Sequence, residues 1–212
     1  MKINMRDKAR SGHVTRWHGV RTGREQTIAE HHYMVAIITK EMMKNILTDS
    51  TDCDMLLALE YALEHDSPEL LMGDFPTPAK RRIQQICQPH GFDPFKLIED
   101  EIVPELAVLS SQIENTPIKI VVKLSDILDA ILFISEEGIG RHARDVVTSK
   151  CHSLYSELLE KACIKFPQYN WNFANDLREE MLNGEDNQIS FEAGLDTLTT
   201  LKNSATTDIT NR

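Results

Sequence analysis

The chain has 212 residues, 41% of them hydrophobic and 26% charged, and carries a net charge of −10. That composition excludes a fibrous or wholly disordered protein, and the acidic balance disfavours binding to nucleic acid polymer, which depends on neutralising many phosphates. No run approaches the ~18 apolar residues of a membrane span, and "MKINMRDKARSGH" has charges where a signal peptide needs its apolar segment, so a cytoplasmic protein without a membrane partner is expected.

The first 25 residues are locally basic, with Lys2, Arg6, Lys8, Arg10, Arg16, Arg21 and Arg24 against Asp7 and Glu25. Such a field suits a small anion, although a solvated basic arm reads the same way. After the loop "RWHGVRTGREQ", Thr27 with Glu30 three residues on predicts a capping box and a helix to about Leu47. Ile28, Val35, Ile38 and Met42, with Tyr33, Met34 and Ile37 beside them, predict deep burial of that helix. Turn residues in "TDSTDCD" precede a second helix from about Met55 to Glu64. Pro68, Gly73, Pro76 and Pro78 then predict a short helix and a rigid loop, because proline fixes φ and withholds a donor.

Ala79 to Cys87 reads as a polar helix, and Phe95 to Ile113 as another that tolerates Pro104 only as a kink or a break. Lys119 to Glu136 is strongly apolar and is ended by Gly138 and Gly140. His142 to Lys165 is amphipathic, and Asn172 to Leu182 is shorter. With no period-2 alternation bounded by turn dipeptides, the fold class is all-α. One domain over residues 1–183 is expected, followed by a polar, partly disordered tail over 184–212. Cys53, Cys87, Cys151 and Cys163 form no C-x-x-C pair, which argues against a thiolate zinc site and for reduced, mostly buried thiols.

Two apolar helices carry groups that burial should forbid. His31 sits one turn into the first, and Asp126 lies amid Val122, Leu124, Ile127, Leu128 and Ile131. The stretch "EHDSPELLMGDFPTP" adds His65 and Asp66 at the end of a third apolar run. A buried carboxylate left ionised and unpaired costs several kcal/mol, and a divalent cation is one partner that also takes imidazole. His31, His65, Asp66 and Asp126 are therefore the groups to test as ligands. Taken singly, each histidine is better explained as a hydrogen-bonded core or boundary residue, and Asp126 could pair with Lys123 or share an exposed edge with Asp129.

The segments "RWHGVRTGREQTIAEHHYMVA", "ALEHDSPELLMGDFPTPAKR" and "VVKLSDILDA" carry, in order, R-W, A/S-E-H, H-D-x-x-E, G-D-x-P-x-P-x-K and K-x-x-D. In these the chain resembles the HD-domain phosphohydrolases, in their 5′-deoxynucleotidase branch together with the related phage enzymes that strip triphosphate from deoxyadenosine triphosphate. The resemblance covers roughly residues 10–140 and fades after about 145. It implies an HD-domain helical bundle in which His31, His65, Asp66 and Asp126 bind one divalent metal ion: zinc, cobalt, manganese, iron or magnesium.

By the same resemblance, Glu69 matches the acid that orients or protonates water near the metal, and Asp74 the aspartate of the G-D turn that shapes the site. Arg16 matches the phosphate-contacting arginine, Trp17 and Pro76 fit positions packing on sugar and base, and Lys80 is a further candidate for phosphate contact. His32 departs from the branch, which more often has a small polar residue there. The implied substrate is a free deoxyribonucleotide, and the implied assembly is a homodimer or larger. Hydrolysis of a monophosphate and of a triphosphate are both compatible with these motifs. A regulatory module that binds nucleotide without turnover is the competing class, and an intact Glu69 and Arg16 count against it.

Overall fold

The computed structural model describes residues 2–184. In chain order its helices are α1 (Met5–Lys8), α2 (Ile28–Ile46), α3 (Asp52–Glu64), α4 (Glu69–Met72), α5 (Thr77–Cys87), α6 (Pro94–Ile102), α7 (Pro104–Ile113), α8 (Pro117–Glu137), α9 (Thr148–Lys165) and α10 (Asn172–Asn183). A π-helical turn, His142–Val147, leads into α9. Among the described residues, β-type pairing consists of two isolated bridges, Thr15 with Thr27 and Thr22 with Gly138. They clip the basic loop to the start of α2 and the end of α8.

Helix starts follow their caps. Thr27 Oγ1 accepts the Glu30 N–H at 3.2 Å and opens α2. The reciprocal half of the expected capping box does not form, because the Glu30 carboxylate is taken by Arg24 at 2.7 Å. A complete box between Thr51 and Asp54 opens α3 three residues before the expected Met55. Pro104 resolves as a break, standing as the first residue of α7, where its missing N–H leaves no helical bond unmade.

The core lies where α8 packs between α2 and α9, with α3 against α2. Val35, Met42, Met43, Leu124, Leu128, Ile131 and Tyr155 are all buried there. Burying one such aliphatic side chain contributes about 1.5–3 kcal/mol. Several together offset the several kcal/mol that desolvating the acids on the same helices costs. The expectation of full burial for α2 is corrected at Tyr33 and Ile37, which are 63% and 44% exposed on its outer face. The expectation of buried thiols is corrected too, since Cys53 and Cys163 are exposed and Cys87 and Cys151 only part-buried.

Residues through Leu182 form one compact unit. The tail expected beyond Gly184 lies outside the described residues. Among the described residues, no helix is long and apolar enough to cross a membrane.

Candidate metal centre

Three segments bring the four expected ligands together. His31 is buried on α2 between the packing residues Ile28 and Val35. His65 ends α3 and caps it: its Nδ1–H donates to the Ala62 carbonyl at 2.8 Å, one of the helix-end oxygens that the helix itself leaves unsatisfied. Asp66 follows directly, held by the turn in which its carbonyl accepts the Glu69 N–H at 2.9 Å. Asp126 projects from the middle of α8.

His31 Nε2 lies 3.2 Å from His65 Nε2, 3.4 Å from Asp66 Oδ2 and 3.4 Å from Asp126 Oδ1, while Asp66 Oδ2 is 3.5 Å from His65 Nε2. His31, His65 and Asp126 each offer an atom within 4.8 Å of the others, and Asp66 stands beside both imidazoles. Ligand atoms about 2.1 Å from one ion stand roughly 3.0–3.4 Å apart in octahedral or tetrahedral arrangements. The observed separations have that scale, so the donor set fits a divalent cation.

Tautomers strengthen the argument. Both Nδ1 atoms face acceptors, the Ala62 carbonyl for His65 and the Asp129 carboxylate for His31 at 2.6 Å, so both protons sit on Nδ1 in the neutral rings. Each Nε2 then presents a lone pair toward the other and toward carboxylate oxygens, an arrangement only a cation or a proton relieves. Burial opposes ionisation of Asp66, but His65 and His31 hold it well below the usual carboxylate range. Asp126 is likewise kept ionised against burial by Lys123 and the two imidazoles. Asp126 does pair with Lys123, through Oδ2 at 2.5 Å, and still turns Oδ1 to His31.

Around this cluster, Arg16 NH1 donates to Gln26 Oε1 at 3.2 Å and lies 3.6 Å from Asp129 Oδ2, while its buried Nε has no protein partner. Trp17 takes φ +70°, a left-handed conformation costly for a bulky residue. It is pinned there by its N–H to Asp74 Oδ2 at 3.0 Å, its indole N–H to Gln26 Oε1 at 2.7 Å and a stack on Phe133 at 6.1 Å. Asp74 thus acts on the site through the Trp17 backbone. Glu69 has a buried, unpartnered Oε2. Burial first, then the Asp66 and Asp74 charges, push its carboxyl up to about 9.

Two expected substrate residues make no hydrogen bond to the cluster, although the Lys80 charge is felt by Glu69. Lys80 Nζ donates to Glu99 Oε1 at 3.0 Å, and Pro76 is exposed at the start of α5. His32 is buried, 5.2 Å from His65 between ring centroids, and its Nε2 has no partner. Burial, then the neighbouring His65 imidazole, lower it to about 3, so it stays neutral. Gln26 and Asp129 were not anticipated. Asp129 follows Asp126 by three residues and so shares its helical face, which is the one signal the sequence offered.

Residues 9–143 match the profile of the family described as 5′-deoxynucleotidase YfbR-like. The chain belongs to that family. Among the relatives of this YfbR-like protein, the dATP triphosphohydrolase of cyanophage S-2L is 32% identical over 140 residues, 66% of this chain and 74% of that one. The dATP triphosphohydrolase of Acinetobacter phage SH-Ab 15497 is 26% identical over 197 residues, 85% of this chain and 92% of that one. The solved structure of the cyanophage S-2L HD phosphohydrolase DatZ, bound to dA and one catalytic Zn2+ ion, matches with a TM-score of 0.70 at 25% identity, over 87% of this chain and all of that one. With its all-α fold, the YfbR-like chain is a hydrolase of the HD type.

Proposed function

We propose that the protein is a divalent-metal-dependent phosphohydrolase of free 2′-deoxyribonucleotides that releases the deoxynucleoside, with His31, His65, Asp66 and Asp126 as metal ligands. The observation that carries this reading is the facing of two imidazole lone pairs and two carboxylates across 3.2–3.5 Å. A divalent ion held there supplies a Lewis acid and an acidified water, whose pKa falls from ~16 toward ~7 in favourable sites.

The chain's own groups do the rest. Arg16 offers its unpartnered Nε–H to a phosphoryl oxygen and neutralises the charge that develops there. Glu69, with a carboxyl pushed up to about 9, keeps a proton at neutral pH and hands it from Oε2 to the departing deoxyribose O5′. Asp74 holds the loop that carries Trp17, and the fixed indole walls the sugar, leaving a ribose 2′-hydroxyl neither room nor partner. Pro76 and Lys80 stand toward the outer rim, with Lys80 held back by Glu99.

Hydrolysis of a monophosphate and of a triphosphate breaks the same bond, between O5′ and the adjoining phosphorus. The residues at the reacting centre serve either. Similarity to two phage dATP triphosphohydrolases favours dATP as the first substrate to try. The test is turnover of all deoxy- and ribonucleotides with Mn2+, Co2+, Zn2+ and Mg2+, detecting phosphate directly and tripolyphosphate after its enzymatic cleavage. Deoxynucleotides should be hydrolysed, ribonucleotides poorly, and chelation should stop both. Metal-loaded protein that binds deoxynucleotides and hydrolyses none would make it a binding module instead.

A further inference from the structure

The metal side and the substrate side of the site answer to one buried pair. Asp129 Oδ2 accepts the His31 Nδ1–H at 2.6 Å and an amide N–H of Gln26 at 2.9 Å, and it faces Arg16 NH1 at 3.6 Å. Gln26 Oε1 in turn accepts from Trp17 Nε1 at 2.7 Å and from Arg16 NH1 at 3.2 Å. Gln26 and Asp129 are 1% and 2% exposed, so solvent does not compete for these bonds. The amide has one orientation open to it: only its NH2 can donate to a carboxylate and only its oxygen can accept from an indole. Asp129 Oδ2 as acceptor and the Trp17 indole N–H as donor therefore together fix which way Gln26 faces, and with it the acceptor shown to Arg16.

A buried carboxylate at this point of α8 costs several kcal/mol in desolvation that an aliphatic residue would not. Stability of the helix packing does not explain its presence. Orientation of the groups it touches does.

We propose that Asp129 and Gln26 are positioning residues that tie metal binding and substrate binding into one unit. Asp129 holds His31 with Nε2 free to ligate, and the same carboxylate, through Gln26, sets Arg16 and Trp17. The inference rests on the roles assigned above to His31, Arg16 and Trp17. Because Gln26 lies one bond further from the metal than Asp129, the two residues differ in what they control. Asp129 governs both sides of the site, and Gln26 only the substrate side.

The test compares the full-length wild type with Asp129→Asn and Gln26→Leu in two measurements: Zn2+ affinity by competition with a chromophoric chelator, and the KM for dATP. Loss of such a partner behind a metal-ligating histidine typically weakens metal binding by about 10–100-fold. Asp129→Asn should show that loss together with a raised KM. Gln26→Leu should keep wild-type Zn2+ affinity and raise KM alone, a split that general damage to the fold would not produce.

Wild-type Zn2+ affinity in Asp129→Asn, or wild-type KM in Gln26→Leu, overturns the proposal. Should Asp129→Asn fail to fold by circular dichroism, the Gln26→Leu split decides alone. The Zn2+ measurement needs no turnover. A wild type whose Zn2+ affinity depends on Asp129, yet which hydrolyses no deoxynucleotide, would thus sink the proposed function and leave the positioning role of Asp129 standing.

Discussion

His31 Nε2 and His65 Nε2 face each other at 3.2 Å, and each ring has already committed its Nδ1 proton, to Asp129 and to Ala62. Two neutral imidazoles do not choose this arrangement for its own sake, since acceptor meets acceptor. A cation between them turns the repulsion into ligation. Adding Zn2+ or Mn2+ to chelator-stripped protein should therefore raise Tm, with about 2.7 kcal/mol gained at a free metal concentration near 100 times Kd. His65→Ala should abolish the metal-dependent increment. Thermal denaturation with and without metal reads both, and a Tm indifferent to metal contradicts the site.

Asp74 works through Trp17. Its Oδ2 accepts the Trp17 N–H at 3.0 Å and so stabilises a residue held at φ +70°. Removing the acceptor leaves that N–H without its partner, at a cost of about 1–3 kcal/mol. The left-handed turn, itself uphill by about 1–3 kcal/mol, then relaxes. Asp74→Ala should lower Tm and raise KM for deoxynucleotides, while metal affinity stays at the wild-type level. Unchanged KM would separate Trp17 from the substrate.

Gly138 ends α8 at a close approach. A Cβ there would run into the Ile134 carbonyl oxygen and stand 3.1 Å from Ala143 Cβ. The same turn receives the basic loop, with Gly23 N–H bonded to the Glu137 carbonyl at 2.8 Å and Ile139 N–H to the Arg21 carbonyl at 2.9 Å. Overpacking of this kind costs about 1–3 kcal/mol. Gly138→Ala should lose that much by urea denaturation, at unchanged m-value.

How much of this was legible in the sequence follows from what each residue depends on. His31 and Asp126 stood out because apolar neighbours at helical spacing implied burial, and burial implied a partner. His65 and Asp66 joined them through the ordered motifs around them. Asp129 escaped because an acid three residues after Asp126 reads equally well as an exposed edge of α8. Its burial is decided by Gln26 and Arg16, from a loop about a hundred residues earlier whose path no local periodicity records. The opposite error fell on Tyr33 and Ile37, apolar at i and i+4 yet exposed, since the pattern says that a face is apolar and not that another helix covers it. Pro104 was ambiguous between kink and break because proline suits a first helical turn as well as it disrupts a middle one.

In metal-stripped protein a proton should stand in for the ion. Burial and the Arg16 charge pull the His31 imidazole down, but hydrogen bonds to Asp126, Asp129 and Asp66 outweigh them and carry it up to about 10. From pH 7 to 9 that proton must leave for His31 to ligate. Metal affinity should then rise by about tenfold per pH unit and level off near 10. Calorimetry in two buffers of different ionisation enthalpy should show at least one proton released per metal bound at pH 7. The sign for folding is the reverse. Between the ordinary value of 6.5 and 10 the folded state binds the extra proton, so stability of the stripped protein falls as pH rises through that window. Metal affinity independent of pH over this range would place the proton elsewhere.

Glu69 is the group whose removal should separate binding from chemistry. It follows Asp66 by three residues and so stands close to one helical turn beyond it. Yet its Oε2 has no protein partner, and in the metal-free protein burial, then the Asp66 and Asp74 charges, raise its carboxyl to about 9. A group used only as a ligand or an ion-pair partner would be better ionised. A buried acid with a free oxygen is suited to giving a proton, and glutamine in its place preserves shape and polarity while removing that proton. Glu69→Gln should keep wild-type metal affinity and lose about 10²–10⁴-fold in kcat, the usual worth of a positioned proton donor. Asp66→Ala, by contrast, should lose metal and activity together. Equal kcat for Glu69→Gln and wild type, measured at saturating dATP and metal, would move proton transfer to solvent and leave Glu69 as a neutral lining residue.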